Sequence, residues 1–274
     1  MSTPQFTSLR PSDPIDSAYS LTPEHIAFYR ENGFIKLKKV LSPTVIAYYG
    51  GEISKKVAEL SVQHMPLEQR GTYGKAFLQV TNLWAVSEIV KEFVLGKRLG
   101  RIAAELMGTK GVRLYHDQAL YKEAGGGITP WHADQYYWPL SSDKTTTVWI
   151  PLQDIPLEMG PLAFCPKSQR LSYGRDLEIG DDSEIKLSEA LKQYPKEESR
   201  FDLGEVSFHS GWTFHRAGAN TSAYPRRVMT IIYMDKEMKL AEAKNKNQKA
   251  DWESWCPGVK VGEIINSPLN PVIV

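Results

Sequence analysis

The chain has 274 residues, with 33 basic and 32 acidic side chains and a formal net charge of +1. Hydrophobic residues make up 42% and charged residues 24%, which is ordinary for a soluble globular protein with a sizeable core. The charge balance provides no basic stripe for nucleic acid, and no run of 18 apolar residues predicts a membrane span. Cys165 and Cys256 are too few for a disulfide framework, which favours a reducing compartment, the cytoplasm by default.

The first part of the chain predicts an arm followed by helices. Residues 1–20 are polar and contain proline, so they predict a flexible N-terminal arm. Helix starts at Thr22 and Ser42 each place proline directly after a hydroxyl N-cap. A third helical region covers about 87–107, broken near a glycine. Residues 21–110 are therefore predicted to be helical support within a single domain, 21–274.

From Val112 onwards, short apolar runs alternate with glycine, proline, aspartate and asparagine. The candidate strands are 112–122, 128–135, 145–150, 161–165, 204–209, 212–217 and 226–234. Many short strands after a helical half predict a mainly β, α+β domain, a sandwich or barrel braced by helices. The core is predicted over 111–235, with a polar insertion at 174–203 near the pocket mouth. A C-terminal extension, 236–274, begins with a stretch that reads as a solvated helix or loop.

A split set of metal ligands is the main chemical signal. His132 and Asp134 stand two residues apart, so an extended strand projects both to one side. A second imidazole comes from His209 or His215, and strand parity does not separate these two. Two histidines and one carboxylate with open coordination positions suit non-haem Fe(II) and dioxygen. The alternative is a surface turn with an incidental histidine and aspartate.

An arginine pair follows the distal histidines. Arg226 lies eleven positions after His215, and its planar guanidinium matches a carboxylate bidentately, which lysine does not do equally well. Arg227 points the opposite way on a strand, and a slip of one residue in register would exchange the two roles.

Together these motifs resemble the phytanoyl-CoA dioxygenase-like family of Fe(II)/2-oxoglutarate-dependent oxygenases. The resemblance runs from about Thr22 to about Met234 and is carried by YHDQALYKEAGGG, WHADQYYWP, VWIPLQDIPLEMGPLAFCPKSQR and GEVSFHSGWTFHRAGANTSAYPRRVMTIIYM. It implies a double-stranded β-helix, or jelly-roll, core with the N-terminal helices packed on it. One departure concerns loop geometry, because the segment that usually ends Pro-Gly-Ser-His reads Pro166-Lys167-Ser168-Gln169 here.

The resemblance also implies the iron ligands. It assigns Fe(II) to His132, Asp134 and His215, because the family's distal ligand precedes a polar segment with asparagine and then an arginine eleven positions on. His209 is then a core residue or a neighbour of the ligands. Asp134 favours hydroxylation, since the related halogenases have alanine or glycine at this position.

For the cosubstrate, the resemblance implies that Arg226 binds the C5 carboxylate of 2-oxoglutarate. Gln118 and Trp149 match family positions that touch 2-oxoglutarate from adjacent strands, with simple core packing as the alternative. Aromatic residues near the metal motifs are candidates for a substrate pocket, and alternation places the first of them beside the metal ligands. These candidates are Tyr136, Tyr137, Trp138 and Trp212.

The predicted activity is hydroxylation of an unactivated C–H bond in a small, partly apolar molecule. Fe(II), 2-oxoglutarate and dioxygen would be required, and succinate and CO2 released. The chain is expected to act as a monomer or homodimer with no nucleic-acid or membrane partner. The alternatives are desaturation, epoxidation or rearrangement with the same cofactors, and a non-catalytic metal-binding jelly-roll protein.

Overall fold

The computed structural model describes residues 10–63 and 65–274. The helices are α1 Pro23–Asn32, α2 Pro43–Leu60, α3 Thr72–Ala76, α4 Glu88–Val94, α5 Lys97–Met107, α6 Asp181–Ala190 and α7 Lys246–Trp255. The strands are β1 Phe34–Leu37, β2 Leu78–Thr81, β3 Val112–Lys122, β4 Thr129–His132, β5 Thr145–Pro151, β6 Leu162–Phe164, β7 Glu197–Glu198, β8 Val206–Ser210, β9 His215–Ala217 and β10 Arg226–Asp235. Among the helices of this described part, none is long and apolar enough to cross a membrane.

The strands form two antiparallel sheets. The larger sheet has the order β1-β8-β5-β10-β3-β2, and the smaller has the order β4-β9-β6-β7. An apolar core joins α1, α2, α4 and α5 to one face of the larger sheet, and the other face looks toward the smaller sheet. The predicted jelly-roll core with helical support is confirmed.

Alternation along β10 decides which side chains reach the space between the sheets. Met229 and Ile231 are buried in the helix-side core. Arg226 and Thr230, of opposite parity, line a cavity between the sheets, and Val228 packs beside it. Because β10 pairs with both β3 and β5, the same alternation aims side chains of all three strands into that cavity.

Of the arm predicted over 1–20, residues 10–20 contact the helical layer, and residues 1–9 lie outside the described residues. Ile15 is buried, and a Cβ at Gly96 would lie 2.6 Å from its side chain. The Asp13 carboxylate accepts a hydrogen bond from Arg98 at 2.6 Å. A buried apolar side chain and an ion pair therefore dock this segment on the helical layer, at the break between α4 and α5.

The predicted insertion and C-terminal extension are both structured. Residues 174–203 contain α6 and β7, and β7 pairs with β6. Helix α7 begins within the stretch expected to be solvated, and Gln248 on it donates to the carbonyl of Tyr136 at 3.0 Å. The segment 271–274 pairs with the start of β3, since Val112 N–H donates to the carbonyl of Val274.

Candidate metal centre and its cavity

Three predicted ligands converge at the edge of the smaller sheet. His132 ends β4 and His215 begins β9, and these residues are paired across the two strands. Asp134 opens a 3-10 turn directly after β4. Its Oδ1 lies 3.6 Å from Nε2 of His132 and 3.7 Å from Nε2 of His215. One ligand atom from each residue lies within 4.8 Å of the others, and this is the one such group found in 10–63 and 65–274.

Both imidazoles present the same nitrogen to this point. Nδ1 of His132 is 2.7 Å from the carbonyl of Pro130, and Nδ1 of His215 is 3.0 Å from that of Thr213. A carbonyl only accepts, so Nδ1 carries the proton and the Nε2 lone pair faces the centre. Burial lowers the pKa of both histidines, which keeps the rings neutral and able to bind a cation.

The carboxylate of Asp134 is oriented in a comparable way. Its Oδ2 accepts from the Thr147 hydroxyl at 2.8 Å and lies 3.2 Å from Nε2 of His209. Burial opposes ionisation of Asp134, but His215 and His209 outweigh burial and hold the pKa of the carboxyl below its usual range. His215 faces Oδ1, whereas His209 faces Oδ2, the oxygen that already accepts from Thr147. This difference distinguishes the two histidines. Two neutral imidazoles and one carboxylate oxygen fit Fe(II).

A buried arginine shares the cavity with these ligands. Arg226 is 2% exposed, and its Nη1 donates to the carbonyl of Gly160. Nε has no hydrogen-bond partner, and no carboxylate among the described residues pairs with the guanidinium. Burial lowers the pKa of Arg226 to about 9. Since an uncompensated buried charge is costly, the side chain is suited to a ligand carboxylate. Arg227 points away and donates to Gln153 at 2.8 Å.

Gln118 and Trp149 line the same cavity, which has a volume of about 300 Å³. They face each other across β10, because Thr230 is paired with Gln118 on one side and with Trp149 on the other. The side-chain oxygen Oε1 of Gln118 accepts a hydrogen bond from the side-chain Nε2 of Gln79 at 2.5 Å. The Trp149 ring lies 5.5 Å from the Arg226 guanidinium.

The structure divides the four predicted pocket aromatics. Tyr137 and Trp138 line the cavity, whereas Tyr136 and Trp212 do not. Alternation fails for Tyr136 because the chain leaves the extended conformation at Asp134 and turns through a 3-10 helix. Trp212 instead packs against Arg175, whose guanidinium lies 4.5 Å from the ring centre.

Other lining residues come from segments outside the metal and arginine motifs, and one of them, Ile179, lies in the insertion predicted near the pocket mouth. Tyr73 lies on α3, Ile179 precedes α6, and Asp251 and Trp255 lie on α7. These residues are far apart in the chain and follow no shared spacing. Only the three-dimensional packing brings them to the cavity.

The departure at Pro166-Lys167-Ser168-Gln169 leaves a well-formed turn. Lys167 adopts a φ of +67°, the left-handed conformation that glycine reaches without strain. The Ser168 hydroxyl accepts from the N–H of Phe214 at 2.9 Å, directly before His215. The turn therefore supports β9 although its glycine is replaced.

A jelly roll that combines a His-Asp-His centre with a buried arginine defines the class of 2-oxoglutarate-dependent iron oxygenases. The family described as phytanoyl-CoA dioxygenase matches residues 29–228, and the chain belongs to this family. Its cofactors are Fe(II) and 2-oxoglutarate.

Individual relatives are distant. A probable alpha-ketoglutarate-dependent hypophosphite dioxygenase of Stutzerimonas stutzeri is 23% identical over 217 residues, 75% of this chain and 76% of that protein. The carbocyclase SnoK from nogalamycin biosynthesis has a TM-score of 0.77 at 23% identity, covering 93% of this chain and 97% of that one. The epimerase SnoN, in complex with Fe3+, alpha ketoglutarate and nogalamycin RO, has a TM-score of 0.76 at 24% identity, covering 92% and 98%. These two structures support the fold.

Proposed function

We propose that this chain is a hydroxylase that oxidises an unactivated C–H bond of a small, partly apolar molecule, with one dioxygen and one 2-oxoglutarate consumed and succinate and CO2 released. One observation carries the proposal. The His132, Asp134 and His215 group and the guanidinium of Arg226 open into the same cavity, so a dicarboxylate bound by Arg226 can extend toward the metal ligands.

In this proposal His132, Asp134 and His215 hold Fe(II), which supplies the redox chemistry that couples 2-oxoglutarate decarboxylation to substrate oxidation. Arg226 binds the remote carboxylate of 2-oxoglutarate, and the guanidinium fork fixes its orientation. Gln118 offers its amide N–H to the cosubstrate, and Trp149 packs on the carbon chain. The largely buried walls exclude water from the reacting atoms.

The type of oxidation rests on Asp134. A carboxylate at this position would occupy a coordination site that a halide needs, so we expect oxygen transfer and not halogenation. The named activities of SnoK and SnoN, a carbocyclase and an epimerase, belong to proteins that resemble this chain in fold. Hydroxylation is distinguished from those outcomes by incorporation of one atom of labelled dioxygen into the product.

The first test is an anaerobic titration of metal-free protein with Fe(II) and then 2-oxoglutarate. We expect the weak visible charge-transfer band of a chelated 2-oxo acid in the wild type and in His209→Ala, and its loss in His215→Ala. The two variants remove the same side chain six residues apart, so each serves as the control for the other. Absence of the band in the wild type, or its loss in His209→Ala alone, contradicts the assigned centre.

A further inference from the structure

A carboxyl group of the cavity remains unexplained by iron or 2-oxoglutarate. Asp251, on α7, lines the cavity and accepts from the Tyr115 hydroxyl at 3.3 Å. Tyr115 is the extra residue of a β-bulge, because β10 pairs Ile232 with His116 and then Tyr233 with Leu114. Bulges re-aim side chains, and this one directs a hydroxyl toward Asp251.

Asp251 lies at the opposite end of β3 from Arg226. Arg226 is paired with Lys122, whereas Asp251 contacts Tyr115, seven residues earlier on the strand and therefore roughly 23 Å away along it. The guanidinium thus does not neutralise this carboxyl. One end of the cavity has a cation without an acid, and the other has an acid without a cation.

In the described part of the chain, the hydrogen-bonding partners of the Asp251 carboxyl are neutral: they are the Tyr115 hydroxyl and the Trp255 side chain. No lysine, arginine or histidine there forms an ion pair with it, and burial raises its pKa to about 7. His116 lines the same region, with its ring stacked on Trp255 at 4.9 Å between centres. Burial lowers the pKa of His116 to about 4, so this ring is neutral near pH 7.

The walls beside Asp251 are aromatic. The lining of the cavity includes Tyr73, Phe77, Tyr137, Trp138 and Trp255. Of these, Tyr73 and Trp255 interact with the Asp251 carboxyl. The faces of such rings attract cations, by about 0.5–1 kcal/mol at exposed sites and by about 2 kcal/mol or more when the cation is desolvated. A carboxylate among aromatic faces is the combination that distinguishes an ammonium group from a hydroxyl group of the same size.

We propose that the substrate carries a protonated amine, and that Asp251 binds this ammonium group while the aromatic walls enclose its apolar body. The proposal deepens the proposed function, on which it rests for the reaction, because it names the class of molecule oxidised. Recognition of the cation itself needs no iron. The two proposals can therefore fail separately.

The test compares three probes with the same phenyl-ethyl body: 2-phenylethylammonium, 2-phenylethanol and 3-phenylpropanoate. Their binding is measured by calorimetry on protein loaded anaerobically with Fe(II) and 2-oxoglutarate, and the cation and the alcohol are measured again on metal-free protein. We expect the cation to bind about tenfold more tightly than either other probe in the wild type, a difference of about 1.4 kcal/mol.

Variants separate charge from structure. Asp251→Asn is expected to reduce the affinity for the cation to that for the alcohol, while the 2-oxoglutarate charge-transfer band is retained. Asp251→Glu keeps the charge and should keep the preference for the cation. Glu253→Gln, an exposed acid on the same helix, is the matched control and should bind as the wild type does.

Equal binding of the three probes by the wild type overturns the ammonium proposal, and so does a lack of binding by all of them at millimolar concentration. A preference for the cation that persists in Asp251→Asn also overturns it. If Asp251→Asn does not fold, the comparison of the three probes in the wild type and in Asp251→Glu still tests the proposal. If the charge-transfer band is absent while the preference for the cation depends on Asp251, the proposed oxygenase function fails and the ammonium site stands.

Discussion

Each candidate ligand at the metal centre is held through the atom that an ion would not use. Backbone carbonyls contact Nδ1 of His132 and of His215, and the Thr147 hydroxyl donates to Oδ2 of Asp134. The facing atoms, Nε2 and Oδ1, are left for a cation. Such supporting contacts commonly change metal affinity by about 10–100-fold. The centre is therefore pre-oriented by the protein itself.

The arginine pair on β10 gives a prediction at the scale of one residue. We expect Arg226→Ala to weaken 2-oxoglutarate binding by roughly 100-fold, because removing one partner of a buried charge pair costs about 2–5 kcal/mol. Arg226→Lys should recover only part of this loss, since an ammonium lacks the guanidinium fork. The affinity is measured by titrating the charge-transfer band.

Arg227→Ala is the control for this prediction, because Arg227 is the neighbouring arginine on the opposite face of β10. Its affinity for 2-oxoglutarate should equal that of the wild type. The register assignment is wrong if Arg227→Ala weakens binding and Arg226→Ala does not.

Among the elements, strands were easier to predict than the segments that close the cavity. β3 spans Val112–Lys122, the bounds predicted from the short apolar runs, and β10 ends one residue beyond its predicted bound. The 3-10 turn at Asp134–Tyr137 has no such pattern. Its Gln135 side chain accepts from Thr145 at 2.6 Å, and its N–H donates to Gly211. Long-range hydrogen bonds stabilise this turn, so local sequence does not reveal it.

The same limit applies to the candidate site. The candidate metal ligands and Arg226 were predicted from spacing on strands, together with the family pattern that separates His215 from His209. The contribution of α7 was not, because its residues reach the cavity through contacts with parts of the chain that are distant in sequence, among them Tyr115, His116 and Tyr136. A polar helix is predicted to be solvated when the surface that it covers comes from a distant part of the chain.

The docked segment before α1 gives a prediction for this part of the helical layer. We expect Ile15→Ala to lower the free energy of unfolding by about 2–5 kcal/mol, the usual cost of truncating a buried isoleucine. Each 1 kcal/mol corresponds to roughly 2–4 °C in a protein of this size, so calorimetry should record a clearly lower Tm.

Val62→Ala is the control, because Val62 is 86% exposed and its truncation creates no cavity. Its Tm should match that of the wild type. An unchanged Tm in Ile15→Ala would mean that residues 10–20 are not docked in solution. The segment would then behave as the flexible arm that the sequence predicts.

Over the whole molecule, buried ionisable groups act on stability in opposite directions. Burial raises the pKa of Asp117 and Asp251 to about 7 and lowers that of Lys122 to about 6. The folded acids retain protons that the unfolded chain releases between about pH 4 and pH 7, so their contribution to stability falls as pH rises through that window. The folded lysine has already lost a proton that the unfolded chain keeps, so its contribution rises from about pH 6 towards pH 10.5.

A single substitution isolates the contribution of Asp251 to the pH dependence of stability. We expect the stability of Asp251→Asn relative to the wild type to increase as the pH is raised from 5 to 8. The protonatable groups that face Asp251 are Tyr115, Tyr73 and Cys256, and burial raises the pKa of each, so all three stay protonated in this window. Denaturant unfolding at each pH gives the comparison.

Glu253→Gln measures the effect of removing an exposed acid from the same helix. The difference in unfolding free energy between Asp251→Asn and the wild type should vary with pH. If it does not, or if Glu253→Gln shows the same variation, Asp251 is not the group that causes the pH dependence.

The two ends of the cavity are built from different kinds of element. Arg226, Gln118 and Trp149 stand on central strands whose backbones pair on both sides, whereas Tyr73 and Asp251 stand on the short helices α3 and α7 outside that pairing. Substitutions in the strands act between neighbours that are paired on both sides, whereas substitutions in the two helices leave this strand pairing unchanged. Under the proposed roles, substitutions in α3 and α7 would therefore change substrate preference while leaving the binding of 2-oxoglutarate in place.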